Sequence, residues 1–79
     1  MRVIAQIPHP IVRISVFQMN EKFMLKMELG PFEQTYKMPE EDIQSLEQLQ
    51  DICNPQFMEK VLARFVEMKN DLDQAIEKK

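Results

Sequence analysis

The side chains that could do chemistry in this chain are few, because His9 is its one histidine and Cys53 its one cysteine. General base catalysis needs a group that orients the imidazole, and a cysteine nucleophile needs a base beside it. No motif links these two residues, and no Ser/His/Asp or Cys/His pattern can be read from their spacing. We therefore predict no catalytic residue, no enzymatic activity and no bound cofactor.

The histidine stands between two prolines, in the order Pro8-His9-Pro10. Proline fixes an extended backbone and lacks an N–H donor, so this segment should be a stiff lead-in to the first strand. We expect His9 to be a solvent-tolerant surface residue. Cys53 precedes Asn54, a predicted helix start, and we expect it to pack against apolar neighbours.

Candidate metal ligands lack the required spacing. Three adjacent acids, Glu40, Glu41 and Asp42, do not show the alternating, glycine-kinked pattern of a calcium loop. Met24 and Met27 point to opposite faces of a strand and cannot share a copper ion. We predict no metal site, and we place most of the seven methionines in the core as gap-fillers.

The size and charge of the chain limit its class. Its 79 residues make one small domain, and a lone cysteine cannot form an internal disulfide, so self-association is the expected supplement to a thin core. We find no signal-peptide pattern and no membrane-length apolar run, and we expect a cytoplasmic protein. The net charge of −3 argues against a general nucleic-acid binder. Residues 1–39 carry five basic and three acidic side chains, whereas residues 40–79 carry five and ten.

The spacing of apolar residues changes from a period of 2 to a period of 3.6 near Pro39, which predicts an α+β domain. We expect a three-stranded antiparallel β-meander followed by a short helix and a long C-terminal helix packed on one face (βββαα). Asn20-Glu21 and Gly30-Pro31 are predicted to form the two tight turns. The first helix could begin near Glu40 or after Ser45, and the S-x-x-Q capping pattern favours Ser45. The predicted strands are residues 11–19, 22–29 and 32–38, and the predicted helices are residues 46–52 and 55–77.

The two-residue loop at Asn20-Glu21 determines the register of the first hairpin. It pairs Val16 with Leu25 on one face and Phe17 with Met24 on the other. The helices can cover only one face, so the opposite face is open or used for binding. The candidate partner-binding residues on that face are Arg13, Phe17, Met24, Lys26 and Lys37.

The long helix is predicted to be longer than the sheet. Strands of about 8 residues span roughly 27 Å, whereas a helix of about 25 residues spans roughly 37 Å. The overhang of about 10 Å would carry Leu72, Ala75 and Ile76. Either the last turns fray, or Val3 to Ile7 covers them, or a second subunit covers them; the last alternative makes these three residues candidate dimer contacts.

From these patterns we predict a small cytoplasmic, non-enzymatic protein-interaction module that forms a homodimer. Its open sheet face would recognise an acidic protein partner, with Arg13, Lys26 and Lys37 steering the encounter. A weak single-stranded nucleic-acid binder using the same face is the alternative. A further alternative is a small-ligand pocket at a dimer interface that involves His9.

Overall fold

The computed structural model describes residues 2–77 of the chain, with side chains described as far as Ile76. Four strands come first and two helices follow, and the strands form one antiparallel sheet in the order β1-β2-β3-β4. The predicted α+β class and antiparallel sheet are confirmed. The elements are β1 (Arg2–Ile7), β2 (Arg13–Met19), β3 (Lys22–Leu29), β4 (Phe32–Pro39), α1 (Leu46–Ile52) and α2 (Pro55–Glu77).

The prediction of three strands was wrong, because β1 adds a fourth at the edge next to β2. Its register shifts between Val3 and Ala5, so a β-bulge interrupts the alternation of side chains. Without a regular period of 2, the segment gave no strand signal. The second strand also begins at Arg13 rather than at Ile11, since Ile11 and Val12 belong to the β1–β2 loop.

The β2–β3 hairpin has the predicted register. Val16 lies opposite Leu25 and Phe17 lies opposite Met24. The two residues of its turn, Asn20 and Glu21, have φ angles of 46° and 63°, as a type I′ turn requires.

The β3–β4 hairpin turns through Gly30-Pro31, where Gly30 has a φ of 61°. Glycine adopts this left-handed conformation without steric cost. The register pairs Leu29 with Phe32 and also places Glu28 opposite Glu33, a like-charge pair.

Both helices begin at the predicted caps. The Ser45 Oγ accepts a hydrogen bond from the Gln48 backbone N–H at 3.2 Å, which caps α1. The Asn54 Oδ1 accepts from the Phe57 N–H at 2.9 Å, and Pro55 is the first residue of α2. Ahead of α1, the acidic residues Glu40–Asp42 form one 3₁₀ turn.

The core lies between one face of the sheet and the two helices, and Met27 and Met58 are both part of it. Met38 and Met68 pack against its margin, which fits their expected use as gap-fillers. Among the described residues, no helix is long and apolar enough to cross a membrane. The buried apolar residues are Ile7, Val12, Ile14, Val16, Leu25, Met27, Ile43, Leu49, Met58, Val61 and Phe65.

Helix α2 runs along β4 and continues past the turn at Gly30-Pro31. Val61 lies over Gln34, whose Nε2 donates to the Val61 carbonyl oxygen at 3.0 Å. Further along α2, Leu72 is 46% exposed and Ile76 is 71% exposed. β1 is part of the sheet, so the alternative in which the N-terminal segment covers the overhang was wrong.

Candidate functional site

The face of the sheet turned away from the helices is the first candidate surface, and we call it the outer face. An apolar row crosses it through direct cross-strand pairs, from Val3 to Phe17 and from Phe17 to Met24. Val3 is 51% exposed, and Phe17 and Met24 are half-buried. Lys37 pairs with Met24 and ends the row on β4.

Lys26 lies at the centre of the outer face. Its Nζ is 6.0 Å from the centroid of the Phe17 ring, a cation–π distance. The same Nζ lies 3.7 Å from Glu33 Oε1 and 4.0 Å from Glu28 Oε2. The charge of Lys26 is therefore shared with two carboxylates, while the side chains of Arg13 and Lys37 are exposed.

The structure brings four of the five predicted partner-binding residues together, namely Phe17, Met24, Lys26 and Lys37. Arg13 is on the same face but further along β2, opposite Glu28. Sequence reasoning missed Val3 because it missed β1.

The second candidate surface is a groove where α2 leaves the sheet, and we call it the overhang groove. It has a volume of about 390 Å³ and is lined mainly by apolar side chains from the β3–β4 turn and from α2. Leu72 and Val66 both line it, and Val66 is 59% exposed. The other predicted dimer contacts, Ala75 and Ile76, lie one turn further along and are exposed.

His9 has a structural partner that the sequence did not indicate. Its Nδ1 accepts hydrogen bonds from the backbone N–H groups of Ile11 and Val12, both at 3.1 Å. The ring proton must then be on Nε2. The imidazole is half-buried and holds the β1–β2 loop, a role that the sequence did not indicate. The prediction that Pro8–Pro10 leads into the first strand was wrong, because β1 precedes this segment.

His9 and Cys53 line one groove of about 400 Å³, together with Met58 and Leu62. Burial raises the pKa of the Cys53 thiol above its ordinary value. A thiol that stays protonated near neutral pH is a weak nucleophile, and Nδ1 of His9 is already occupied. These observations favour a packing role for Cys53.

The acidic residues near α1 do not assemble a metal site. Within residues 2–77, no group of three or more His, Cys, Asp or Glu side chains is placed to hold a metal ion. Glu40 instead accepts a hydrogen bond from the Gln18 side chain at 2.5 Å.

The chain matches no protein-family model, no curated protein and no solved structure with which it was compared.

Proposed function

We propose that this chain is a small, non-enzymatic protein-interaction module that acts as a homodimer in the cytoplasm. The observation that carries the proposal is the exposed apolar surface of α2 beyond the sheet. Leu72 and Ile76 are 46% and 71% exposed there, next to the overhang groove. Each Å² of such surface removed from water contributes roughly 25 cal/mol, so covering it is favourable.

The dimensions of the molecule support a second copy as the cover. The radius of gyration is 14.3 Å, whereas a compact domain of this length has one of about 12 Å. The long axis measures 48 Å against 26 and 18 Å for the others. A symmetric dimer buries the same surface on both copies, and it adds buried area to a 79-residue domain, which alone buries only about 60–65% of the surface of its unfolded chain.

We assign the outer face to a partner outside the dimer, and the chemistry fits an acidic protein segment that carries apolar side chains. Val3, Phe17 and Met24 offer a short apolar strip, and the cations of Lys26 and Lys37 lie beside it. Nucleic-acid platforms stack two or three bases on aromatic rings. Among the described residues, Phe17 is the one aromatic side chain of the outer face, which favours protein over single-stranded nucleic acid.

Sedimentation over a concentration series tests the homodimer. We expect the wild-type chain to sediment as a dimer at high micromolar concentration. The double substitution Leu72→Gln/Ile76→Gln should raise the dissociation constant at least tenfold, because apolar area at the interface is lost. The matched control is Ala63→Gln, an exposed position of α2 away from the groove, and it should have no effect. A wild-type chain that stays a 9.4 kDa monomer throughout would overturn the proposal.

A further inference from the structure

The sheet has two edge strands, β1 and β4, and they differ in regularity. A β-bulge interrupts β1 between Val3 and Ala5. Bulges make an edge unsuited to pairing with another strand, whereas prolines stand at the ends of both edge strands, Pro8 after β1 and Pro39 in β4. β4 is paired with β3 at every position from Phe32 to Pro39 with no shift of register, so its free edge has no bulge.

The turn at Gly30-Pro31 determines which backbone groups of β4 point to that free edge. In a two-residue hairpin the flanking pair, here Leu29 and Phe32, exchanges both hydrogen bonds. Hydrogen-bonded pairs then alternate along the strand. The residues that direct their N–H and C=O groups outward are therefore Glu33, Thr35 and Lys37, and all three are exposed.

These outward residues are self-complementary in charge. An antiparallel pairing of β4 with β4 of a second copy, centred on Thr35, places Glu33 opposite Lys37 of the second copy. The two-fold axis repeats the same pair on the other side. This register uses the outward N–H and C=O groups of all three residues, whereas centring the pairing on Gln34 or Tyr36 leaves those of one residue unused.

The same register relieves a conflict within the monomer. Glu28 and Glu33 lie directly opposite each other, and Lys26, with its Nζ 3.7 Å from Glu33, offsets only part of their repulsion. Lys37 of the second copy would approach Glu33 from the other side. Opposite charges in direct cross-strand pairs stabilise a sheet, and like charges there destabilise it.

The hydrogen bonds between α2 and β4 use inner-face residues of β4, and the outward residues Glu33, Thr35 and Lys37 are exposed. α2 crosses the inner face, where Gln34 bonds to the Val61 carbonyl and Arg64 donates to the Tyr36 hydroxyl at 3.0 Å. A two-fold axis perpendicular to the sheet keeps both copies of α2 on that inner face. Phe32 then lies opposite Met38 of the second copy. The segment after Pro39 of that copy therefore lies near the Gly30-Pro31 turn, the end of the sheet beyond which α2 continues.

We propose that the homodimer forms by antiparallel pairing of β4 with β4 of a second copy, in the register centred on Thr35, to give a continuous eight-stranded sheet. This inference rests on the proposed homodimer and names its interface. The two outer faces become one surface on the dimer.

Charge reversal at the edge tests the register by sedimentation. Glu33→Lys places two lysines opposite each other at both symmetric positions, and Lys37→Glu does the same with glutamates. Each should raise the dissociation constant about tenfold or more. The double variant Glu33→Lys/Lys37→Glu restores both opposite-charge pairs and should return to within about threefold of wild type.

Mixing the two single variants gives a sharper result. Each single variant alone should dimerise weakly. In a mixture, Glu33→Lys and Lys37→Glu place opposite charges at both positions, so the two variants should form a heterodimer. Lys22→Glu, a reversal on the same face of the inner strand β3, is the control and should leave the dimer intact.

The outcomes separate this inference from the proposed function. If the wild-type chain dimerises and neither single charge reversal weakens the dimer, β4 pairing is wrong but the homodimer is retained. The same conclusion follows if the double variant stays dissociated. If only Leu72→Gln/Ile76→Gln dissociates the dimer, the helices alone form the interface. A wild-type monomer overturns both, and the charges on β4 then serve to prevent edge pairing.

Discussion

At the scale of single residues, His9 illustrates how a side chain can replace secondary structure as a hydrogen-bond partner. Pro8 and Pro10 have no N–H groups, and the loop they enter must still satisfy those of Ile11 and Val12. The imidazole Nδ1 accepts from both. Val12 is only 2% exposed, so its N–H would otherwise be far from bulk water.

We expect His9→Ala to lower the free energy of unfolding by about 1–2 kcal/mol, since it leaves a part-buried N–H without an acceptor. His9→Asn is the matched variant, because the asparagine Oδ1 can accept from the backbone two residues on and should recover most of the loss. Urea unfolding at one fixed protein concentration measures both. Equal stability of the alanine variant and wild type would show that the two hydrogen bonds contribute nothing.

Gln34 makes one hydrogen bond to α2 but, within residues 2–77, leaves one buried acceptor without a partner. Its Nε2 bonds to the Val61 carbonyl, but among the described residues its Oε1 is buried without a hydrogen-bond partner. An unsatisfied buried acceptor costs about 1–3 kcal/mol. The hydrogen bond from its Nε2 to the Val61 carbonyl links β4 to α2 on the inner face.

At the scale of elements, both hairpin turns contain residues with positive φ, but the residue types at these positions differ in how easily they adopt it. Glycine supplies the positive φ at Gly30, whereas Asn20 and Glu21 both have positive φ without being glycine. Asparagine tolerates this conformation, but the Cβ of a glutamate in it is strained by about 1–2 kcal/mol.

Glu21→Gly should therefore raise the free energy of unfolding by about 0.5–1 kcal/mol, after the entropic cost of glycine is deducted. Glu21→Ala removes the carboxylate but keeps the Cβ, so it should give no comparable gain. Thermal and urea unfolding of the three proteins at equal concentration provide the measurement. If the alanine variant is as stable as the glycine variant, the carboxylate and not the backbone was unfavourable.

The elements that the sequence predicted correctly are those with local signals. The turn at Asn20-Glu21 determined the register of β2 and β3, and the caps at Ser45 and Asn54 placed both helix starts. These features depend on neighbours in sequence, and so their residue types suffice.

The elements that the sequence did not predict depend on contacts between distant residues. β1 is recognisable through its pairing with β2, and its bulge near Val3 hides the alternation. For the same reason Val3 was absent from the predicted outer face. The role of His9 and the place of Val66 in the lining of the overhang groove also needed the folded backbone.

At the scale of the whole molecule, the charges are divided between the layers. The outer face carries Arg13, Lys26 and Lys37 near the two carboxylates of Glu28 and Glu33. The ten acidic residues from Glu40 onward lie outside the sheet, in the 3₁₀ turn and the helices. The outer face therefore carries more basic than acidic side chains within a molecule of net charge −3, while α2 carries basic residues of its own, Lys60, Arg64 and Lys69.

A titration monitored by amide chemical shifts tests the proposed role of the outer face, with a short peptide containing glutamate and phenylalanine as the probe. We expect shifts concentrated at Phe17 and Met24, and affinity about three- to tenfold weaker when salt is raised, because exposed charge pairs are screened. Lys26→Gln should weaken binding, whereas Lys60→Gln on α2 should not. A peptide with lysine in place of glutamate should not bind. If a single-stranded oligonucleotide binds more tightly than the acidic peptide, the outer face binds nucleic acid. If neither ligand shifts the amide signals of Phe17 and Met24, the outer face has no part in recognition of an anionic partner.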